Sequence, residues 1–193
     1  MRFDETAKII KKTATELSQQ YSDRKTEISL WLYKFGFKRP FTLNKDYSIN
    51  LHGDIELSCP AGDKLGKSIV FATVEGDFYC GGLNLTSLKG CPAFVTGDFI
   101  CNGNRLTSLE YCPQKIGGVF ACEDNDDLTD ILRHIFTANF SCDQFIGPIP
   151  NDTDEGILFN DIINIHLKTK DILSCVDALL DAGFYKYCKE FTK

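Results

Sequence analysis

A chain of 193 residues with 43% hydrophobic and 25% charged residues has a globular composition and the length for one sizeable core. No apolar run approaches the ~20 residues needed to span a bilayer. The net charge of −6 is uneven: ten Lys/Arg against six Asp/Glu in residues 1–50, five against seven in 51–117, six against fourteen in 118–193. Such an acidic second half is ill suited to gripping nucleic-acid phosphates, so no direct nucleic-acid or membrane partner is expected. The opening residues, MRFDETAKIIKK, are too charged for an export signal, which predicts a cytoplasmic protein whose nine cysteines are reduced.

In chain order, Ile9, Ile10, Leu17 and Tyr21 lie at approximate helical spacing. Ser22 or Asp23 is then expected to cap a second helix carrying Ile28, Leu30, Trp31, Leu32 and Phe35, with Gly36 as its stop and Pro40 soon after. Residues 1–50 are therefore expected to form a helical cap.

The next region repeats itself. GDFYCGGLNLTSLKGCPAFVTG (76–97) is followed 21 residues on by GDFICNGNRLTSLEYCPQKIGG. Phe78, Phe99 and Phe120 keep that interval, as do Cys80, Cys101 and Cys122, and Val74, Val95 and Ile116. Leu85/Leu106, Leu88/Leu109, Cys91/Cys112 and Pro92/Pro113 recur in the two full copies. A degenerate earlier copy, Leu51–Leu57, parallels Val74–Cys80; a rival register would pair Leu57 and Cys59 with Phe78 and Cys80. In the third copy Asn125 is in step but Leu128 comes one residue late, which predicts distortion as the stack ends.

A fixed period of this kind implies stacked rungs, none of which can bury its apolar face alone. Phe-x-Cys alternates with period two, so Phe and Cys should point into the stack from one short parallel strand per copy, about 4.8 Å from its neighbour. The amides of Asn104 and Asn125 would satisfy backbone groups where the strand turns away. Pro92 and Pro113 exclude helix from the start of the return path, which is expected to be extended or in 3₁₀ turns.

F-I-C-N-G-N-R-L (99–106) resembles the L-x-L-x-x-N-x-L core of leucine-rich repeats, and L-T-S-L-x-x-C-P-x-x-(V/I)-x-G resembles short repeats of bacterial and tailed-phage proteins. The resemblance covers roughly residues 51–132 and departs where Leu83 replaces the asparagine. The expected fold is α+β: a short solenoid of about four rungs over residues 51–128, with helical caps. The C-terminal region, 129–193, should supply them from Ile131, Leu132, Ile135 and Phe136, then Ile157–Leu167, then Ile172–Phe191, with breaks at Pro148 and Pro150.

Chemistry is harder to find. There is no Cys-x-x-Cys pair, so the cysteines read as buried columns rather than zinc ligands. His52, His134 and His166 have no sequence partners that would make a catalytic triad and read as structural. Cys175-Val176-Asp177 matches the Cys-x-Asp of bacterial effector ubiquitin ligases but lies in an amphipathic helical stretch, with only about seventy residues after the repeats. Gly81-Gly82 and Gly117-Gly118 lack the Lys-Ser/Thr of a phosphate loop and read as turns needing positive φ. Glu123 to Asp127 lacks the glycine and distal glutamate of a calcium loop. No cofactor or metal is expected.

What remains is a surface. With Phe and Cys inward, the outward residues of the strands should align in three columns: Asp54, Asp77, Asp98 and Val119; Glu56, Tyr79, Ile100 and Ala121; Gly81, Asn102 and Glu123. The candidate partner-binding face is Asp54, Glu56, Asp77, Tyr79, Asp98, Ile100, Asn102 and Glu123, against the plainer reading of a solvated sheet face. The expected function is a non-enzymatic protein-interaction module. The resemblance to phage-borne repeats implies an inhibitor that blocks a bacterial host protein, such as a defence factor, in the host cytoplasm. The alternatives are an acidic nucleic-acid mimic engaging a DNA-binding protein, and an enzyme sited in the C-terminal helices.

Overall fold

Each 21-residue copy carries two inward apolar series, and each series builds its own sheet. The computed structural model describes residues 2–34, 36–57 and 69–192; Phe35 and Cys59 lie outside them. The chain divides into two units, Met1–Lys38 and Arg39–Lys193.

In the larger unit the strands are β1 (Phe41–Leu43), β2 (Ser48–His52), β3 (Ile55–Glu56), β4 (Val70–Glu75), β5 (Phe78–Tyr79), β6 (Phe94–Val95), β7 (Phe99–Ile100), β8 (Lys115–Ile116), β9 (Val119–Ala121) and β10 (Gln144–Ile146). They form two five-stranded sheets, ordered β1-β2-β4-β6-β8 and β10-β9-β7-β5-β3. Every pairing is parallel except β1 with β2. The result is an α+β protein built on a short β-solenoid of about four turns. Each copy gives two strands where the sequence predicted one. Once Pro92 and Pro113 have turned the chain, the return path runs extended with Val95 and Ile116 buried, and pairs with the rung below.

The register is Leu51↔Val74↔Val95↔Ile116 in one sheet and Ile55↔Phe78↔Phe99↔Phe120↔Phe145 in the other. The degenerate copy thus pairs Leu51–Leu57 with Val74–Cys80, and the rival register does not occur. Strand pairing also reaches past 51–128 in both directions, through β1 and β2 before it and β10 after it. Helix α2 (Ile131–Ile135) is inserted before β10, lengthening the interval from Phe120 to Phe145.

The core is a set of columns. Phe78, Phe99, Phe120 and Phe145 are fully buried, with successive ring centroids 5.6, 5.4 and 5.4 Å apart. Cys80, Cys101 and Cys122 run beside them, also fully buried. Asn104 Oδ1 accepts from the amides of Leu83 and Leu85, both at 3.0 Å, while its Nδ2 donates to the carbonyls of Cys80 and Cys101, both at 2.9 Å. Asn125 repeats part of this one rung on, with Leu106 N and the carbonyls of Cys101 and Cys122. The residue before each of these positions is left-handed, Gly103 at φ 64° and Asp124 at φ 54°. The extra residue before Leu128 is absorbed in a turn closed by Leu128 N and Asn125 O, so Leu128 stays buried.

The helices follow the same local logic. α1 (Arg2–Lys34) is one helix, not two. The expected cap is absent: the helix runs unbroken through both residues, with Ser22 O accepting from Thr26 Oγ1 and Asp23 Oδ1 from Gln19 Nε2. Gly36, at φ 73°, ends it, with Phe37 N reaching back to Leu32 O. α3 (Asp154–Leu167) starts on Thr153, which accepts from Gly156 N, and α4 (Ile172–Asp181) on Asp171, which accepts from Ser174 N. A 3₁₀ turn, Tyr185–Tyr187, follows.

One face of α3 closes the solenoid. Asn164 accepts from Phe145 N at 2.8 Å and donates to Phe145 O at 2.7 Å, while Asn160 accepts from Gly147 N at 2.7 Å. Two asparagines one helical turn apart thereby satisfy the open edge of β10.

We expect Phe99→Ala to destabilise the repeat region by about 3–5 kcal/mol, since it opens a cavity in the middle of the phenylalanine column. Ile100→Asp, on a half-exposed position, should cost far less. Denaturant unfolding of the two variants checks the order; the reverse ranking would contradict the register.

Candidate interaction face

The outward column predicted from the repeat is present: Glu56, Tyr79, Ile100 and Ala121 are direct neighbours on β3, β5, β7 and β9. Glu56 is exposed, Tyr79 and Ile100 are half-buried, and Ala121 is buried. The accessible part of the column is therefore Glu56–Tyr79–Ile100. Tyr79 Oη donates to Asp77 Oδ2 at 2.9 Å, which fixes the ring. That bond, burial and the negative charges of Asp77, Asp98 and Asp54 hold its phenol above the usual range.

The aspartates do something the sequence reading missed. Asp54 Oδ1 accepts from Asp77 N at 2.9 Å, Asp77 Oδ1 from Asp98 N at 2.8 Å, and Asp98 Oδ1 from Val119 N at 2.8 Å. Each carboxylate is a rung-to-rung tie at the corner between the two sheets. The glycine of the next rung makes room for it. A Cβ at Gly97 would overlap the Asp77 carboxylate, and one at Gly118 the Asp98 carboxylate. Gly97, Gly117 and Gly118 lie outside the left-handed region, so positive φ, expected for Gly117-Gly118, is not their role. The signal was in the sequence: Gly-Asp recurs at 53, 76 and 97, and the series ends at Gly118-Val119.

The third column is tied as well. Asn102 Nδ2 donates to Glu123 Oε2 at 2.8 Å, and Glu123 N donates back to Asn102 Oδ1 at 3.0 Å. The other oxygen of Glu123 accepts from Asn151 N. Both oxygens of Asp77 and both of Glu123 are thus engaged internally. These two are framework first and contact residues second.

Elsewhere, His52 Nδ1 lies 2.7 Å from Glu75 Oε2 in an exposed pair. His134 belongs to a cluster absent from the sequence reading. Ser108 Oγ donates to Asp130 Oδ2 at 2.6 Å, and the same oxygen is 2.9 Å from His134 Nε2. Asp130 Oδ1 accepts from Leu109 N. Burial works against the ionised Asp130, but hydrogen bonds from His134, Ser108 and Leu109 outweigh it and hold the carboxyl below its usual range. The serine proton goes to the carboxylate and the imidazole uses one nitrogen for both neighbours, so this is not a serine–imidazole–carboxylate relay. It clasps the second rung to α2, and Asp130 occupies the repeat's serine position in Leu128-Thr129-Asp130-Ile131.

The thiols are set for packing. All eight described cysteines are free. Burial pushes Cys101 and Cys122 well above the ordinary thiol range and Cys112, Cys142 and Cys175 up to about 12. Cys175, the cysteine of the Cys-Val-Asp triplet, is fully buried on α4 and is not an activated nucleophile. Lys170, in the recess beside Cys142, donates to the carbonyls of Ile135 and Phe140 at 3.0 and 2.8 Å.

Comparison with protein-family models, with curated proteins and with solved structures finds no match to the chain. Among the described residues no helix is long and apolar enough to cross a membrane.

Two measurements test this account. Asp77→Ala should destabilise the solenoid by about 1–3 kcal/mol, because it leaves Asp98 N without its acceptor. Asp77→Asn keeps an acceptor oxygen and should cost much less. Equal losses in denaturant melts would mean that charge, not the tie, is what matters. A thiol reagent in native buffer should leave Cys80, Cys101 and Cys122 unmodified until the chain is unfolded; rapid native labelling of Cys101 would show that the rungs open.

Proposed function

We propose that this protein is a non-enzymatic interaction module that binds a protein partner through the outer face of the β3-β5-β7 strands. The observation that carries the reading is the Glu56–Tyr79–Ile100 column, an acidic, an aromatic and an aliphatic side chain in register on three adjacent strands. Tyrosine is a frequent anchor of protein interfaces. Here its ring is fixed by Asp77 and its strand by the corner ties, so little side-chain freedom is left to lose on binding. The surrounding aspartates favour a partner with basic groups around an apolar centre.

The likeness to leucine-rich repeats is supported by Asn104 and Asn125, which bond the backbone between rungs. Together with the resemblance to tailed-phage repeats, it makes a host-directed inhibitor, blocking a bacterial protein in the host cytoplasm, the more specific form of the proposal. The internal use of both Asp77 oxygens weighs against a mimic of nucleic-acid phosphates, which would need its carboxylates free.

Tyr79→Lys with Ile100→Lys should abolish capture of the partner while leaving the melting transition nearly unchanged, since two ammonium groups would be buried unpaired at the interface. The check is quantitative capture from host lysate by wild type and variant, with partners identified by mass spectrometry. Ile165→Lys with Leu173→Lys, on exposed positions of α3 and α4, should have no effect. If the strand variant binds normally and the helix variant does not, the repeats are a scaffold and the C-terminal helices hold the site.

A further inference from the structure

Lys170 stands between α3 and α4 at φ 58°, a left-handed position that glycine or asparagine ordinarily takes. The strained backbone points to the side chain as the reason for a lysine there. Two of its three N–H donors go to the carbonyls of Ile135 and Phe140, at 3.0 and 2.8 Å. That clamp needs donors but not a full charge. Yet the ammonium is half-buried, and burial lowers its pKa from the ordinary lysine value. Nζ lies 5.3 Å from the centroid of the Phe140 ring. Among the described residues no carboxylate pairs with it, and its third N–H has no acceptor.

The ammonium borders a recess of about 150 Å³ between the C-terminal turn of α3 and the segment leading into β10. Phe140, Cys142 and Leu167 give it apolar walls, while the exposed Lys168 adds a second cation and the exposed Asp143 a carboxylate. Residues 118–193 hold fourteen acidic residues and six Lys/Arg, so two lysines on one recess run against the charge of their surroundings.

We propose that this recess binds a small organic carboxylate, with an apolar body about the size of one ring and its anionic group on the third N–H of Lys170. A cavity of about this volume takes a benzene-sized molecule. Lys168 supplies further positive charge at the mouth, and Asp143 opposes it. Phosphate fits poorly, because its remaining charged oxygens would face a phenylalanine, a leucine and a thiol with no donor to meet them. The site lies apart from the β3-β5-β7 face and does not depend on what that face binds.

Benzoate is the probe, titrated into the full chain and followed by lysine ¹³Cε and backbone amide signals in NMR. Saturable shifts at Lys170, Lys168 and Cys142 are expected in the low millimolar range, with benzyl alcohol and inorganic phosphate each binding at least about tenfold more weakly. Asp143→Asn removes the opposing charge from an exposed side chain and should tighten benzoate about threefold. Lys170→Met keeps the stem without the charge and should weaken it at least about tenfold; Lys89→Met, on another rung, should change nothing. Should Lys170→Met fail to fold, the wild-type Cε shift and Asp143→Asn decide by themselves. No saturable shift by about 20 mM benzoate, equal binding of benzyl alcohol or phosphate, or no tightening in Asp143→Asn overturns the proposal.

Discussion

Most strands of this solenoid are two or three residues long, so a rung receives few backbone bonds from its neighbours. Register is completed by side-chain oxygens that accept from the backbone amides of an adjacent rung. Aspartate does this at the corner between the sheets, where Asp54, Asp77 and Asp98 each bond the next rung's amide. Asparagine does it on the inner side of the following turn, where Asn104 and Asn125 serve two rungs at once. Both devices tie a buried or half-buried N–H that the short strands leave unpaired, and both need the neighbouring backbone to come close. The glycine before each aspartate supplies that closeness, so Gly-Asp works as a unit shared between rungs: the aspartate of one is seated by the glycine of the next.

The same requirement explains how the stack ends. Val119 replaces the aspartate, so the corner series stops there, and after the inserted α2 the last rung pairs through β10. Beyond β10 no further strand is needed, because Asn160 and Asn164 on α3 take over the role that asparagine plays within the repeat. The helix thus presents side-chain amides where another rung would present backbone. Lys170 extends the arrangement, holding the carbonyls of Ile135 and Phe140 that end α2 and precede β10.

What the sequence made legible was what the period repeats. The phenylalanine and cysteine columns, the asparagines and the outward Glu56–Tyr79–Ile100 line all follow from one spacing and one alternation. The features that escaped depend on pairs of positions in different rungs or elements. An aspartate beside a tyrosine reads as surface charge unless the glycine 20 residues later is seen to make room for it. Asn160 and Asn164 were hidden in an apolar helix, although their four-residue spacing on its buried face was the available sign. β10 was missed because α2 interrupts the interval, leaving only Asp143 and Phe145 as landmarks. The break expected in α1 rested on Ser22 and Asp23, residues that cap helices but can equally bond within one. Conversely, the plain 21-residue alternation concealed a second strand per copy, because Val95 and Ile116 are each the one buried residue of a two-residue strand.

These ties change what kind of binding surface the acidic face can be. A row of free carboxylates would attract any basic partner, loosely and with strong salt dependence. Carboxylates spent on backbone amides are held at fixed places, with much of their charge answered by the dipoles they accept from. Under the proposed function they would orient a partner more than grip it, and the discriminating contact would fall to Tyr79 and Ile100. A single patch of two half-buried side chains is small for a stable complex, since standard interfaces bury about 1,600 Å². Under the proposed function the rest of the area must come from the surroundings of the column, where Glu56 and Asp54 are exposed.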